Sequence, residues 1–117
     1  MLKVYGIPTC SSCKKAMQWL KTNQVEYEFI NTKENPPKKE VIADWVSQLG
    51  FKPMRNTSGK SYRAIGQERN SWDSFQWIDA FTQDAMLLKR PLFVLNQKAV
   101  LAGFKISEEE LKKRLEI

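Results

Sequence analysis

Two cysteines three residues apart, Cys10 and Cys13, sit where an apolar run ends and a helical pattern begins. The run Leu2-Lys3-Val4-Tyr5 breaks at Gly6 and Pro8, and beyond the break Cys13, Ala16, Met17 and Leu20 recur at i, i+3, i+4 and i+7. This predicts a strand over residues 2–5 and a helix over residues 11–23, with both thiols in the opening turn. Positions i and i+3 lie on one helix face, so the sulfurs can meet with little backbone movement. The free N–H groups and partial positive charge of a helix N-terminus favour thiolate over thiol, and Lys14 and Lys15 add positive charge one turn away. Cys10, at the helix mouth, reads as the nucleophile of a C-x-x-C redox pair. Cys13, one turn inside on the apolar side, reads as the resolving thiol. The plainer alternative is two reduced cysteines, one of them packed in the core.

Composition narrows the chemistry further. With two Cys and no His, the chain lacks the four ligands that zinc usually takes, and nothing in it calls for a metal or a cofactor. A length of 117 residues predicts one domain, 1–117, large enough for a real core. No apolar run approaches 18 residues and no signal-peptide pattern opens the chain, so a cytoplasmic location away from membranes is expected. In that compartment a C-x-x-C pair is expected to be catalytic or sensing rather than a static crosslink. The formal charge of +6 fits either plain solubility or binding of an acidic partner or small oxyanion. Direct DNA binding is not expected, because there is no helix-turn-helix signal, no zinc finger and no block of basic residues.

Farther along, Val25 to Ile30 alternates apolar and charged as a strand does, and a strand–helix–strand order implies a parallel pair. Pro36-Pro37 sits in a polar loop, after which Val41, Ile42, Trp45, Val46 and Leu49 recur at helical spacing up to a stop at Gly50. Residues 51–70 are irregular and basic, with Lys52, Arg55, Lys60, Arg63 and Arg69 against Glu68. They read as a solvated surface or as an anion or partner surface. Ser71 is the expected cap of a helix over residues 72–81 that packs Trp72, Phe75, Ile78 and Phe81. Leu92 to Leu95 reads as a buried strand, Asn96-Gln97 as a two-residue turn and residues 98–101 as its hairpin partner. Ser107 with Glu110 suggests a capping box, and Ile106 with Leu111 a hydrophobic staple, at the start of a closing helix.

The stretch Tyr-Gly-Ile-Pro-Thr-Cys-Ser-Ser-Cys-Lys-Lys-Ala at residues 5–16, with Asn56-Thr57-Ser58-Gly59, Leu88-Lys89-Arg90-Pro91-Leu92 and Gly103-Phe104, resembles the ArsC/Spx family over nearly the whole chain. That family joins arsenate reductase-like proteins with Spx-type redox regulators. The resemblance implies an α/β, thioredoxin-like fold. Its mixed four-stranded sheet would carry a helical insertion at about residues 38–88, between a β-α-β half and a C-terminal β-hairpin-α half. It also implies that Cys10 is the nucleophile, and that Arg90 precedes a proline close to it and binds thiolate or oxyanion. The resemblance to thioredoxin-like proteins also implies a cis-proline beside the C-x-x-C loop, so the Arg90–Pro91 bond is expected to be cis and to face Cys10; Pro91 opens a buried strand, where a missing N–H is tolerated.

The implied function is a cytosolic thiol-disulfide oxidoreductase using the Cys10/Cys13 pair, with thioredoxin or glutathione as partner thiol. The alternative is an Spx-type transcriptional regulator that binds the C-terminal domain of the RNA polymerase alpha subunit. Arsenate reductases of this type use one cysteine and three arginines. Here Cys13 is an added cysteine, Ser58 stands where relatives often carry arginine, and no arginine falls near Gly103-Phe104.

Overall fold

A computed structural model describes residues 1–117. Strand β1 (Leu2–Gly6) feeds helix α1 (Ser11–Thr22), and the chain returns as β2 (Tyr27–Asn31) parallel to β1. Helices α2 (Lys39–Leu49), α3 (Phe51–Met54), α4 (Lys60–Ile65) and α5 (Ser74–Gln83) follow, with 3-10 turns at Gln67–Ser71 and Ala85–Leu87. The hairpin β3 (Leu92–Leu95) and β4 (Lys98–Ala102) and the helix α6 (Glu108–Leu115) close the chain. Sheet order is β2-β1-β3-β4, with β3 antiparallel to both of its neighbours. This is the mixed four-stranded, thioredoxin-like sheet expected, with α2 to α5 inserted between its halves.

The sheet is buried on both faces, which explains the unbroken apolar run of β3. Phe93 joins Leu2, Val4, Ala16, Leu20 and the α6 leucines on one side. Leu92 and Val94 join Trp45, Trp77, Phe81 and Met54 on the other. The hairpin register slips between Phe93 and Val94, so that Phe93 opposes Leu101 while Val94 opposes Ala99. Val100 is therefore the extra residue of a bulge. It allows Ala99 and Leu101, two positions apart, to enter opposite cores. Asn96 and Gln97 turn the hairpin at φ of 49° and 71°, the left-handed pair that a two-residue turn requires.

Three expected elements are corrected. The strand proposed from Val25 begins at Tyr27, because Gln24 takes φ of 57° and Val25 N–H returns to Leu20 O at 2.9 Å, closing α1. The helix proposed from Trp72 under a Ser71 cap begins at Ser74 under Asp73. Ser71 Oγ instead donates to Glu68 O at 3.0 Å within the preceding 3-10 turn. Asp73 and Gln76 then satisfy each other's backbone N–H groups in a full capping box. That shift turns Phe75 out to solvent, 79% exposed, and buries Trp77, Ile78 and Phe81. At α6 only half of the expected box forms. Ser107 Oγ accepts from Glu110 N–H at 3.2 Å, while the Glu110 carboxylate takes the Arg114 guanidinium.

Candidate active site

Cys10 is the N-cap of α1, in extended backbone conformation. Its N–H donates to Ile7 O at 3.1 Å and its carbonyl accepts from Lys14 N–H at 3.0 Å, closing the first turn. No side-chain oxygen caps this helix. The Cys10 sulfur holds the place where a capping oxygen usually accepts from the second and third helical N–H groups. Burial alone would raise the Cys10 thiol. The neighbouring Cys13 N–H and thiol, the Ser12 N–H and the Arg90 side chain stabilise the thiolate, and together they carry it below the ordinary thiol value.

Cys13 is fully buried beneath β1. Its burial, together with the adjacent Cys10 sulfur, outweighs the Ile7 N–H and the Arg90 charge and pushes it up to about 11. Both cysteines are free thiols. At neutral pH the half-buried sulfur is thus the more readily ionised of the two, and the buried one keeps its proton. The sulfur of Cys13 fits because residue 6 is glycine: a methyl at Gly6 would overlap Cys13 Sγ. Gly6 registers in the sequence as a break, and its close approach to the sulfur is visible only once strand and helix are packed.

Arg90 reaches the site from the start of β3. The Arg90–Pro91 bond is cis. Arg90 Nη1 lies 3.4 Å from both Met86 O and Leu88 O, and Arg90 Nε is buried without a protein acceptor. The helical insertion steadies this segment. Asn56 N–H donates to Leu87 O at 2.8 Å and Lys89 N–H to Met54 O at 2.7 Å, while Arg55 bridges to Leu88. Gly59 lets the chain fold over Asn56, since a methyl there would stand 2.6 Å from Asn56 Nδ2. The Asn-Thr-Ser-Gly stretch therefore braces the Arg90 strand.

The structure brings Cys10, Cys13 and Arg90 together and leaves the other candidates apart. Lys14 and Lys15 are exposed and line a shallow cleft with Trp19 and Phe104 rather than the sulfur. Arg55 stacks over Trp77, Phe51 and Tyr62 at 5.4, 5.9 and 6.0 Å. Arg63 Nη1 donates to Ser58 O at 2.8 Å. No group of three or more His, Cys, Asp or Glu side chains is placed to hold a metal ion. No helix is long and apolar enough to cross a membrane.

Known proteins share this arrangement of chain. The YusI protein of Bacillus subtilis is 33% identical over 113 residues, covering 93% of this chain and 95% of its own. The global transcriptional regulator Spx of Lactiplantibacillus plantarum is 27% identical over 117 residues, covering 98% of this chain and 86% of its own. The crystal structure of a possible arsenate reductase from Streptococcus mutans superposes with a TM-score of 0.84 at 36% identity, over 96% of this chain and 98% of that one. The model of the ArsC family matches residues 5–113, a span that holds both cysteines and Arg90. The chain belongs to the ArsC family.

Proposed function

We propose that the chain is a cytosolic thiol-disulfide oxidoreductase of the arsenate reductase-like kind, with Cys10 as nucleophile and Cys13 as resolving thiol. The observation that carries this reading is the opposite tuning of two adjacent sulfurs: one half-buried and lowered, the other buried and raised to about 11. The Cys10 thiolate attacks one sulfur of a substrate disulfide and expels the other as a thiolate. Cys13 then gives up its proton, attacks Cys10 Sγ and releases the reduced substrate, leaving a Cys10–Cys13 disulfide. A low-pKa thiol is ionised, and so attacks, at neutral pH, and the substrate sulfur is the group that departs when Cys13 attacks in turn. Arg90 holds the negative charge on Cys10 before the first attack. A partner dithiol such as thioredoxin, or two equivalents of glutathione, would restore the reduced pair.

A second reading draws on the Spx relative, which aligns over 98% of this chain. On that reading the same disulfide switches a surface that binds the RNA polymerase alpha subunit. Affinity capture with a Cys13→Ser variant separates the two, since it halts the cycle at the mixed disulfide on Cys10. Thioredoxin or another disulfide protein released by reductant supports the enzyme. Polymerase held without a covalent bond supports the regulator, and loss of covalent capture on Cys13→Ser alone would overturn the assignment of Cys10.

A further inference from the structure

The outer face of α1 is a cationic strip beside the nucleophile that the redox cycle leaves unused. The helix carries Lys14, Lys15 and Lys21 and no acid. A shallow cleft runs along it, lined by Lys14, Lys15, Gln18, Trp19, Thr22 and Phe104. These α1 positions span i to i+8, about 12 Å of helix axis, and begin about one turn from Cys10. The opposite wall is anchored to the site as well. Gly103, next to Phe104, donates its N–H to Pro91 O at 2.7 Å and lies under the Lys89 side chain. Lys89 thereby places a further cation beside Gly103, the neighbour of Phe104. The acid at this wall, Glu108, is engaged by Trp19 Nε1 at 3.3 Å and Lys112 at 4.0 Å.

We propose that this cleft docks an acidic segment of the protein whose disulfide Cys10 attacks. The proposal rests on the redox reading above and names the class of partner it serves. A cleft of about 12 Å matches about four residues of extended chain at 3.3 Å each. Trp19 and Phe104 offer apolar and ring-face contact along it, and the lysines supply attraction that also speeds encounter. The fitting substrate is a polypeptide with glutamate or aspartate a few positions from its reactive cysteine.

The test uses Cys13→Ser protein and peptides whose single cysteine is held as a mixed disulfide with 2-nitro-5-thiobenzoate. The Cys10 thiolate bonds to the peptide sulfur and the nitrothiobenzoate departs as a coloured thiolate, so the rate is read directly. One peptide carries glutamates after the cysteine, the other glutamines. The acidic peptide is expected to react about three- to tenfold faster at low salt, the gain that two exposed ion pairs give. That advantage is expected to disappear at high salt and in a Lys14→Gln/Lys15→Gln variant. Equal rates for the two peptides would overturn the docking proposal while leaving the redox reading intact. Failure to react with either would overturn both. A loss in the lysine variant that is as large with the neutral peptide would also overturn it, since that peptide offers the lysines no acidic chain.

Discussion

At the scale of single residues, the site depends on two sulfurs of one element meeting different surroundings. Cys10 stands half-buried at a helix mouth, whereas Cys13 is enclosed beneath a strand. Alkylation rate against pH, measured on each single Cys→Ser variant, reads this difference. The Cys10-only protein is expected to react faster at neutral pH, and the Cys13-only protein only at more alkaline pH, since burial still raises its thiol. Arg90 is one of the donors that lower Cys10. Arg90→Ala is therefore expected to raise the Cys10 pKa, slowing alkylation near neutrality and leaving it unchanged at high pH, where both proteins are fully ionised. An identical profile would remove Arg90 from thiolate stabilisation. Gly6→Ala tests the other sulfur. Its methyl must displace Cys13 Sγ or the strand, at a cost of about 1–3 kcal/mol from overpacking. With an aromatic disulfide reagent, release of the first equivalent is expected to persist and release of the second, which needs Cys13, to slow. The cysteine spacing and Arg90-Pro91 were legible in the chain. The need for glycine at residue 6 was not, because it arises between a strand and a helix that only the fold brings together.

At the scale of elements, local periodicity was a sound guide where one face of an element is buried and the other wet, and a poor one elsewhere. α1 and α2 follow their apolar spacing, with Cys13, Ala16 and Leu20 buried in one and Ile42, Trp45 and Val46 in the other. The three-residue rhythm of Trp72, Phe75, Ile78 and Phe81 misled, since Trp72 precedes the helix and Phe75 faces solvent. Two capping residues competed there. Asp73 prevailed because Gln76 completes the box with it, while Ser71 was drawn into the 3-10 turn. Asp73→Ala is accordingly expected to cost about 1 kcal/mol, and Ser71→Ala less. Urea unfolding of the two variants checks the order, and a larger loss at Ser71 would contradict the assigned cap. The bulge at Val100 had no signature in the hairpin sequence, because it serves to send Ala99 and Leu101 into separate cores.

At the scale of the whole molecule, the site is assembled from distant parts of the chain. The β1–α1 junction supplies both thiols, the entry to β3 supplies Arg90, and the insertion braces that entry through Met54 and Asn56. The order of elements and the place of Arg90 could be anticipated from the motifs. The fate of the other arginines could not, since it depends on how four short helical segments pack. That packing bears on arsenate. A multiply charged oxyanion needs several charge-assisted donors, and the arsenate reductases that this chain resembles supply three arginines beside their cysteine. Here Arg90 is the arginine at Cys10. Arg55 is spent on the aromatic faces of Trp77, Phe51 and Tyr62, and Arg63 on Ser58 O. Ser58 itself donates to Asn56 Oδ1 at 3.3 Å. Near the third arginine's place, Gly103 has φ of 87° and lies against Lys89, and Phe104 packs on Phe93. Arsenate reduction supplied with glutathione and glutaredoxin is therefore expected to be weak or absent in protein that still exchanges thiols with a disulfide reagent. Robust turnover that requires Cys10 would contradict this. Its loss in Arg63→Ala would then show that Arg63, at α4, turns off Ser58 O and onto the anion.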